Sequence, residues 1–221
     1  MLSSEANLNV VLFFLLGSGI FAFLGFKFYA LKVNPFKDFG IGIALFGLSF
    51  LGFAAIVATH PTDLGLMMSL AVLPFVGGFV ALVSSATFNW QKNTRTMMMA
   101  IAIAFLVTLF ALRTWVYPSS PGFSENGLVS FHAQPPVLIL YILAFAGGLM
   151  TALQVVTTHI TLWRQAALTR IFFNLIILGG VILLTSADDQ MQYLNSALLT
   201  TGFLGLFVLY VRSKVAIDTK A

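Results

Sequence analysis

From Phe50 to Leu82 the chain runs through an apolar segment, a short polar turn at His60-Pro61-Thr62-Asp63, and a second apolar segment. Each arm is too long for anything but a membrane helix. About 20 apolar residues are needed to cross roughly 30 Å of hydrocarbon, and they must be helical because lipid offers the backbone no hydrogen-bond partner. The same hairpin returns from Ile177 to Leu209 around Ala187-Asp188-Asp189-Gln190, with Leu51, Gly52, Ser69, Gly78 and Leu82 falling on Leu178, Gly179, Ser196, Gly205 and Leu209. That offset also lays the apolar run before the first hairpin, Val10–Phe26, onto the run before the second, Val137–His159. The chain therefore reads as three helices, one linker helix and three more.

Seven runs are long enough to span: Val10–Leu31, Phe39–Thr59, Leu64–Phe88, Thr96–Val116, Val137–Thr157, Leu168–Ser186 and Tyr193–Val211. The fold class expected is all-α, a polytopic membrane protein forming a single seven-helix domain. Repeat 1 covers residues 10–88, the linker helix 96–116, an outer loop 117–136 and repeat 2 137–212. Composition excludes a soluble alternative. With 59% hydrophobic and 8% charged residues, the chain carries about a third of the charge with which a soluble domain covers itself.

Charge placement gives the expected orientation. Of the 11 Lys and Arg, all but Arg113 fall on the side reached after odd-numbered helices, whereas Glu5, Asp63, Glu125, Asp188 and Asp189 take the other side. The positive-inside bias puts the amino terminus outside and the carboxyl terminus in the cytoplasm. The net charge of +4 is thereby explained without a nucleic-acid partner. Met1–Asn9 has neither a basic n-region nor a cleavage site, so the first run is expected to be a retained helix. The absence of cysteine excludes disulfides, thiolate nucleophiles and sulfur-ligated metals.

Local features add expectations. Gly17, Ser18 and Gly19, then Gly47, Gly52 and Ala54, then Gly77 and Gly78, mark close helix contacts. Asn34-Pro35 is expected to close the first segment, with helix 2 starting at Phe39-Gly40, and Pro74 is expected to kink helix 3. Met97-Met98-Met99 reads as packing or lipid-facing methionine. In the outer loop, Leu128 to Phe131 is expected to lie on the bilayer surface near the interfacial Trp115 and Tyr117.

Polar groups fall into three candidate sets. Arg113, about one turn inside the outer end of helix 4, needs a partner, and Asp63, Glu125, Asp188, Asp189 and His132 lie on its side. This outer cluster serves either as an interfacial anchor or as a ligand site. Gln154 and Asn174 share a depth in helices 5 and 6, where they act as hydrogen-bonded glue or as part of a substrate path. Arg164, Arg170, Arg212 and Lys214 form a basic cytoplasmic face suited to a protein partner.

Most intramembrane chemistry is excluded. Helices 6 and 7 lack the internal lysine that retinal requires, and His60, His132 and His159 sit in turns or at helix ends rather than where a haem would be held between helices. A surface metal site on His60, His132 and the outer acids stays open. Paired aspartates, a Ser–His dyad or a zinc motif within the bilayer, which proteolysis needs, are absent, as is a Gly-rich phosphate loop. The buried carboxylates of ion-coupled pumps are missing from the helix interiors. No cofactor is expected.

Two resemblances follow. The three, one and three plan is shared with sugar transporters of the SWEET and PQ-loop type, although no Pro-Gln pair occurs and helices 5 to 7 have no internal proline. The chain more closely resembles the seven-helix membrane module at the front of bacterial sensor histidine kinases and diguanylate cyclases. The shared features are a basic first inner loop, an acidic turn before a helix with a central proline (Asp63, Pro74), a long outer loop, a basic loop from Trp163-Arg164 to Arg170, and the closing stretch Leu209 to Asp218. The chain stops at Ala221, where an output domain would begin. The resemblance thus implies a non-enzymatic sensor or scaffold in a bacterial cytoplasmic membrane, acting through a protein partner or as a homo-oligomer. The alternative is a small-solute carrier or channel with a path between the two three-helix repeats.

Overall fold

The apolar runs do become helices, and their flanking residues decide where each one starts. The computed structural model describes residues 4–31, 34–118, 122–123, 129–130, 134–158, 163–185 and 189–212. Among these are seven α-helices: α1 (Ser4–Ala30), α2 (Asn34–Thr59), α3 (Leu64–Ala86), α4 (Lys92–Ala111), α5 (Pro135–Thr158), α6 (Trp163–Thr185) and α7 (Asp189–Arg212). Six hold apolar stretches long enough to cross a membrane, and α7 holds a shorter one, Ala197–Leu209. Apart from a two-residue ladder between α4 and α5, the regular structure of the described residues is helical, and the chain is a multi-pass membrane protein.

Helix starts obey the orphan-donor rule. Pro35, expected to mark the close of the first segment, instead sits in the first turn of α2, which begins at Asn34 rather than Phe39. Proline suits that turn because its missing N–H has no intrahelical partner there. At the other end of α2, His60 takes a left-handed backbone with φ 44°, and the chain turns into α3, where the Asp63 carboxylate accepts a hydrogen bond from the Leu66 N–H at 2.9 Å. Pro74 lies inside α3 without interrupting it. At its C-terminal end α4 widens into a π-helical turn, Leu112–Val116. In the following loop, β1 (Gly122–Phe123) pairs antiparallel with β2 (Val129–Ser130), so the middle of the segment expected on the bilayer surface is held in a ladder. Leu128 and Phe131 lie outside the described residues.

Packing arranges the helices in a ring. α1 packs on α2, α2 on α3, α3 on α5, α5 on α6, α6 on α7 and α7 back on α1, while α4 lies outside against the α3–α5 seam. This peripheral place explains why α4 buries only Ala102, Leu106 and Leu109 and leaves Ile103, Val107 and Phe110 exposed. Phenylalanines fill the α1–α2–α7 junction. Phe203 meets Phe21 edge-on with centroids 4.9 Å apart and Phe50 edge-on at 5.7 Å, the arrangement that ring quadrupoles favour.

Without a hydrophobic drive between helices in lipid, close packing of small residues holds them together. The tightest approach joins α1 to α2. A Cβ on Gly25 would stand 2.7 Å from the Gly40 carbonyl oxygen, and one on Gly40 would stand 2.6 Å from the Gly25 carbonyl oxygen. α2 meets α3 in the same way, a Cβ on Gly78 falling 2.8 Å from the Gly42 carbonyl oxygen. Of the small residues expected to mark contacts, Gly17 faces Phe203 of α7 at 3.2 Å, while Gly19 has nothing within 4 Å and sits on the exposed side of α1.

Candidate functional site

A partly open cavity of about 140 Å³ reaches from the ring to α4, and each of the seven described helices contributes to its lining. Phe14 comes from α1, Ser49 from α2, Phe75 from α3, Leu106 from α4, Tyr141 from α5, Gly180 from α6 and Leu199 from α7. Its wall is aromatic because α2 presents Phe46, Phe50 and Phe53 at helical spacing, and Phe75 and Phe145 face them across the ring. Phe46, Phe75 and Phe145 form a layered series, with near-parallel planes at 12° and 17° and centroids at 4.7 and 6.4 Å. Gly180 keeps this layer in place, since a side chain there would overlap the Phe145 ring. Ser49 and Tyr141 are the lining residues with polar side chains.

Ser49 stands out among the helical hydroxyls. Thr59, Ser69, Thr87, Thr96, Thr151 and Thr157 each donate to the carbonyl four residues earlier, at 2.7 to 3.0 Å. That local bond is how a hydroxyl is satisfied in an apolar helix. Ser49 is 3% exposed, and its Oγ has no hydrogen-bond partner among the described residues. An unpaired buried hydroxyl costs about 1–3 kcal/mol.

Tyr141 ties the cavity to the C-terminal end of α4. The Arg113 guanidinium, carried on the π-helical turn, donates from Nη1 to the Tyr141 hydroxyl at 2.6 Å and lies 5.7 Å from the centre of its ring. A widened helical turn re-aims its side chains, and such turns recur at functional positions. Tyr141→Phe removes the acceptor but keeps the ring. We expect it to lower stability by about 1–2 kcal/mol in thermal unfolding, the range for a hydrogen bond to a charged group less what the ring retains.

At the opposite end, a polar clamp joins three helices. Arg95 of α4 donates from Nη2 to the Ser84 hydroxyl of α3 at 2.8 Å, and that hydroxyl donates to the Asp38 carboxylate of α2 at 2.8 Å. Arg95 and Asp38 also approach to 3.7 Å, each about a third exposed, and the guanidinium lies 5.2 Å from the centre of the Phe88 ring. An exposed ion pair contributes under about 1 kcal/mol, so the shared serine carries much of the geometry. Ser84→Ala severs both hydrogen bonds and is expected to cost about 1–2 kcal/mol, read as a lower thermal midpoint. Nearby, Lys27 and Lys37 extend over the rings of Phe23 and Tyr29, at 5.0 and 5.7 Å.

The residues singled out from the sequence are distributed otherwise. Arg113 binds Tyr141, and Asp63 caps α3. Glu125, His132 and Asp188 lie outside the described residues, and Asp189 opens α7 with its side chain outside them. Gln154 and Asn174 are both exposed on the surfaces of their helices rather than directed into the bundle. Arg170 is exposed near the start of α6; Arg164 and Arg212 lie in α6 and α7 with side chains outside the described residues, as is Lys214 altogether. Sequence reasoning missed Ser49, Tyr141 and the Asp38–Ser84–Arg95 clamp. One signal for the clamp is present in the sequence: Asp38 is an acid directly after Lys37, on the side where the basic residues gather. No protein-family model, curated protein or solved structure matches this chain.

Proposed function

We propose that this chain is a seven-span, non-enzymatic membrane sensor. Its amino terminus is outside, and it reports occupancy of its central cavity to a protein partner at the basic cytoplasmic face. One observation carries the reading: the cavity is lined from all seven helices, so a bound molecule touches every element of the bundle at once. A ligand shifts a conformational equilibrium only as far as it binds one state better than the other. A site shared by every helix changes volume with any change in helix packing, which supplies that difference. The almost wholly apolar lining supports binding rather than catalysis. The orientation draws on the positive-inside bias, with Lys27, Lys37, Lys92, Arg95 and Arg170 all at one end of the helices.

The chain has no cysteine, so Lys37→Cys together with Arg170→Cys labels the inner ends of α2 and α6 without background. Spin labels at these two exposed positions are expected to shift their distance distribution when fluorobenzene, a probe for apolar cavities, saturates the protein in lipid nanodiscs. An unchanged distribution with the probe demonstrably bound would overturn the sensor reading. The carrier reading draws on the cavity's place between α1–α3 and α5–α7. It is supported instead if proteoliposomes containing this chain alone speed the passage of the same probe.

A further inference from the structure

We propose that the cavity holds one acyl chain of a bilayer phospholipid, with the phosphate of the same lipid on the Arg113 guanidinium; this inference rests on reading the cavity as a ligand site. Three observations converge on that occupant. The first is depth. Phe46, Phe50, Phe53 and Val57 line the cavity along one face of α2, and at about 1.5 Å per residue this stripe runs about 16 Å from mid-helix toward the α2–α3 turn. One leaflet is about 15 Å deep, half of the roughly 30 Å of hydrocarbon. The stripe thus matches the reach of a lipid chain from one side of the membrane. On α4 and α5, Leu109 and Tyr141 continue the lining into the same half of the bundle, the half that ends at Arg113.

The second is access. The cavity is partly open, and its lining side chains are apolar except for Ser49 and Tyr141. Water is a poor occupant, because a buried water needs two to four polar partners. At this depth the medium around the bundle is hydrocarbon, and a lipid tail is as apolar as the lining it would enter. The peripheral α4 buries only Ala102, Leu106 and Leu109, and the last two line the cavity. A small displacement of that helix therefore joins the cavity to the bilayer.

The third is charge. Arg113 stands two residues before Trp115, which is 76% exposed and of the residue type that anchors at the headgroup level. One guanidinium N–H goes to the Tyr141 hydroxyl at 2.6 Å, and among the described residues Arg113 has no carboxylate partner. Its remaining donors form a planar fork that matches a phosphate. Tyr141 joins the two parts of the site, its side chain lining the cavity and its hydroxyl holding the arginine.

The test uses the full-length protein in nanodiscs of a phosphatidylcholine that carries a diazirine midway along one acyl chain. Irradiation bonds the acyl chain to what it touches, and peptide mass spectrometry locates the adducts. Ile103 and Phe110, exposed on α4, report contact with the surrounding bilayer. Phe75 and Leu106, in the cavity lining, are expected to carry adducts as well. Arg113→Gln is expected to lower the cavity adducts about tenfold, the ratio that one hydrogen bond to a charged group supplies, while Ile103 and Phe110 keep theirs. Arg113→Lys, which keeps the charge, is expected to retain part of the cavity labelling. Adducts confined to Ile103 and Phe110 in the wild type, or cavity adducts undiminished in Arg113→Gln, overturn the assignment. If the spin-labelled bundle still responds to fluorobenzene in that event, the sensor reading stands and its ligand is not a phospholipid.

Discussion

A leucine at position 40 is expected to leave no folded bundle. Gly40 sits where α1 and α2 come closest. Even its first added carbon would stand 2.6 Å from both the Gly25 carbonyl oxygen and the Tyr29 backbone nitrogen, and 3.1 Å from the Tyr29 Cα. These obstacles are main chain. A side-chain neighbour can change rotamer, but a helix backbone can yield only by moving as a unit, and the partner across the interface, Gly25, is as tightly placed. Overpacking a core typically costs about 1–3 kcal/mol, and with the backbone as obstacle Gly40→Leu belongs at or beyond the upper end. Separation of the two helices would also draw apart the Phe28–Phe39 edge contact at 4.7 Å. The expected result is loss of the monodisperse species in detergent chromatography. Gly19→Leu is the matched control. Nothing lies within 4 Å of that position, so a change within about 0.5 kcal/mol is expected. Equal tolerance of leucine at both positions would show that the α1–α2 approach is not what holds the bundle.

Ser49→Leu is expected to do the opposite and raise stability. A residual cavity costs about 24 cal/mol per Å³, so the packing forgone in 140 Å³ is worth about 3 kcal/mol. The unpaired hydroxyl adds its own cost of about 1–3 kcal/mol. Leucine removes the hydroxyl and fills part of the space, and its fit among fixed phenylalanines is imperfect. A net gain of about 2 kcal/mol in reversible unfolding is therefore expected, together with loss of fluorobenzene uptake. Ser49→Ala, which removes the hydroxyl and enlarges the space slightly, should gain less, about 1 kcal/mol. A fall in stability for both variants would mean that the Ser49 hydroxyl is satisfied in the membrane and that the space beside it is closed.

The contrast between these two positions shows how far the sequence can be read. Gly40 and Ser49 lie in the same apolar run, and neither is conspicuous there. Gly40 falls at the expected start of helix 2, but it lies inside α2 at the closest backbone approach among the described glycines. Of the expected contact residues, Gly17, Gly47 and Gly78 are buried, whereas Gly19, beside Gly17, is exposed. A small residue permits close approach without specifying which neighbour arrives. Along the sequence the natural partners for Arg113 are carboxylates, because charge is what a sequence displays. Among the described residues its hydrogen-bond partner is a phenol, Tyr141, brought alongside by the packing of α5.

By itself the sequence determined that this chain is helical, that its helices suit lipid, and roughly where each helix lies, although several helices start five or six residues earlier than their apolar runs. Those properties follow from local physics: a backbone in hydrocarbon must bond to itself, and the length of each apolar run sets the length of its helix. Only the tertiary structure decided the order of the ring, the peripheral place of α4, the polar clamp at Asp38, Ser84 and Arg95, and the aromatic cavity around Ser49. In a soluble protein the polar face of a helix reveals which side points inward, because water selects it. Lipid and protein interior are equally apolar, so a phenylalanine on α2 facing the cavity and one facing the bilayer look alike along the chain. Which of them meet is settled only when backbones are close enough for glycine and for nothing larger.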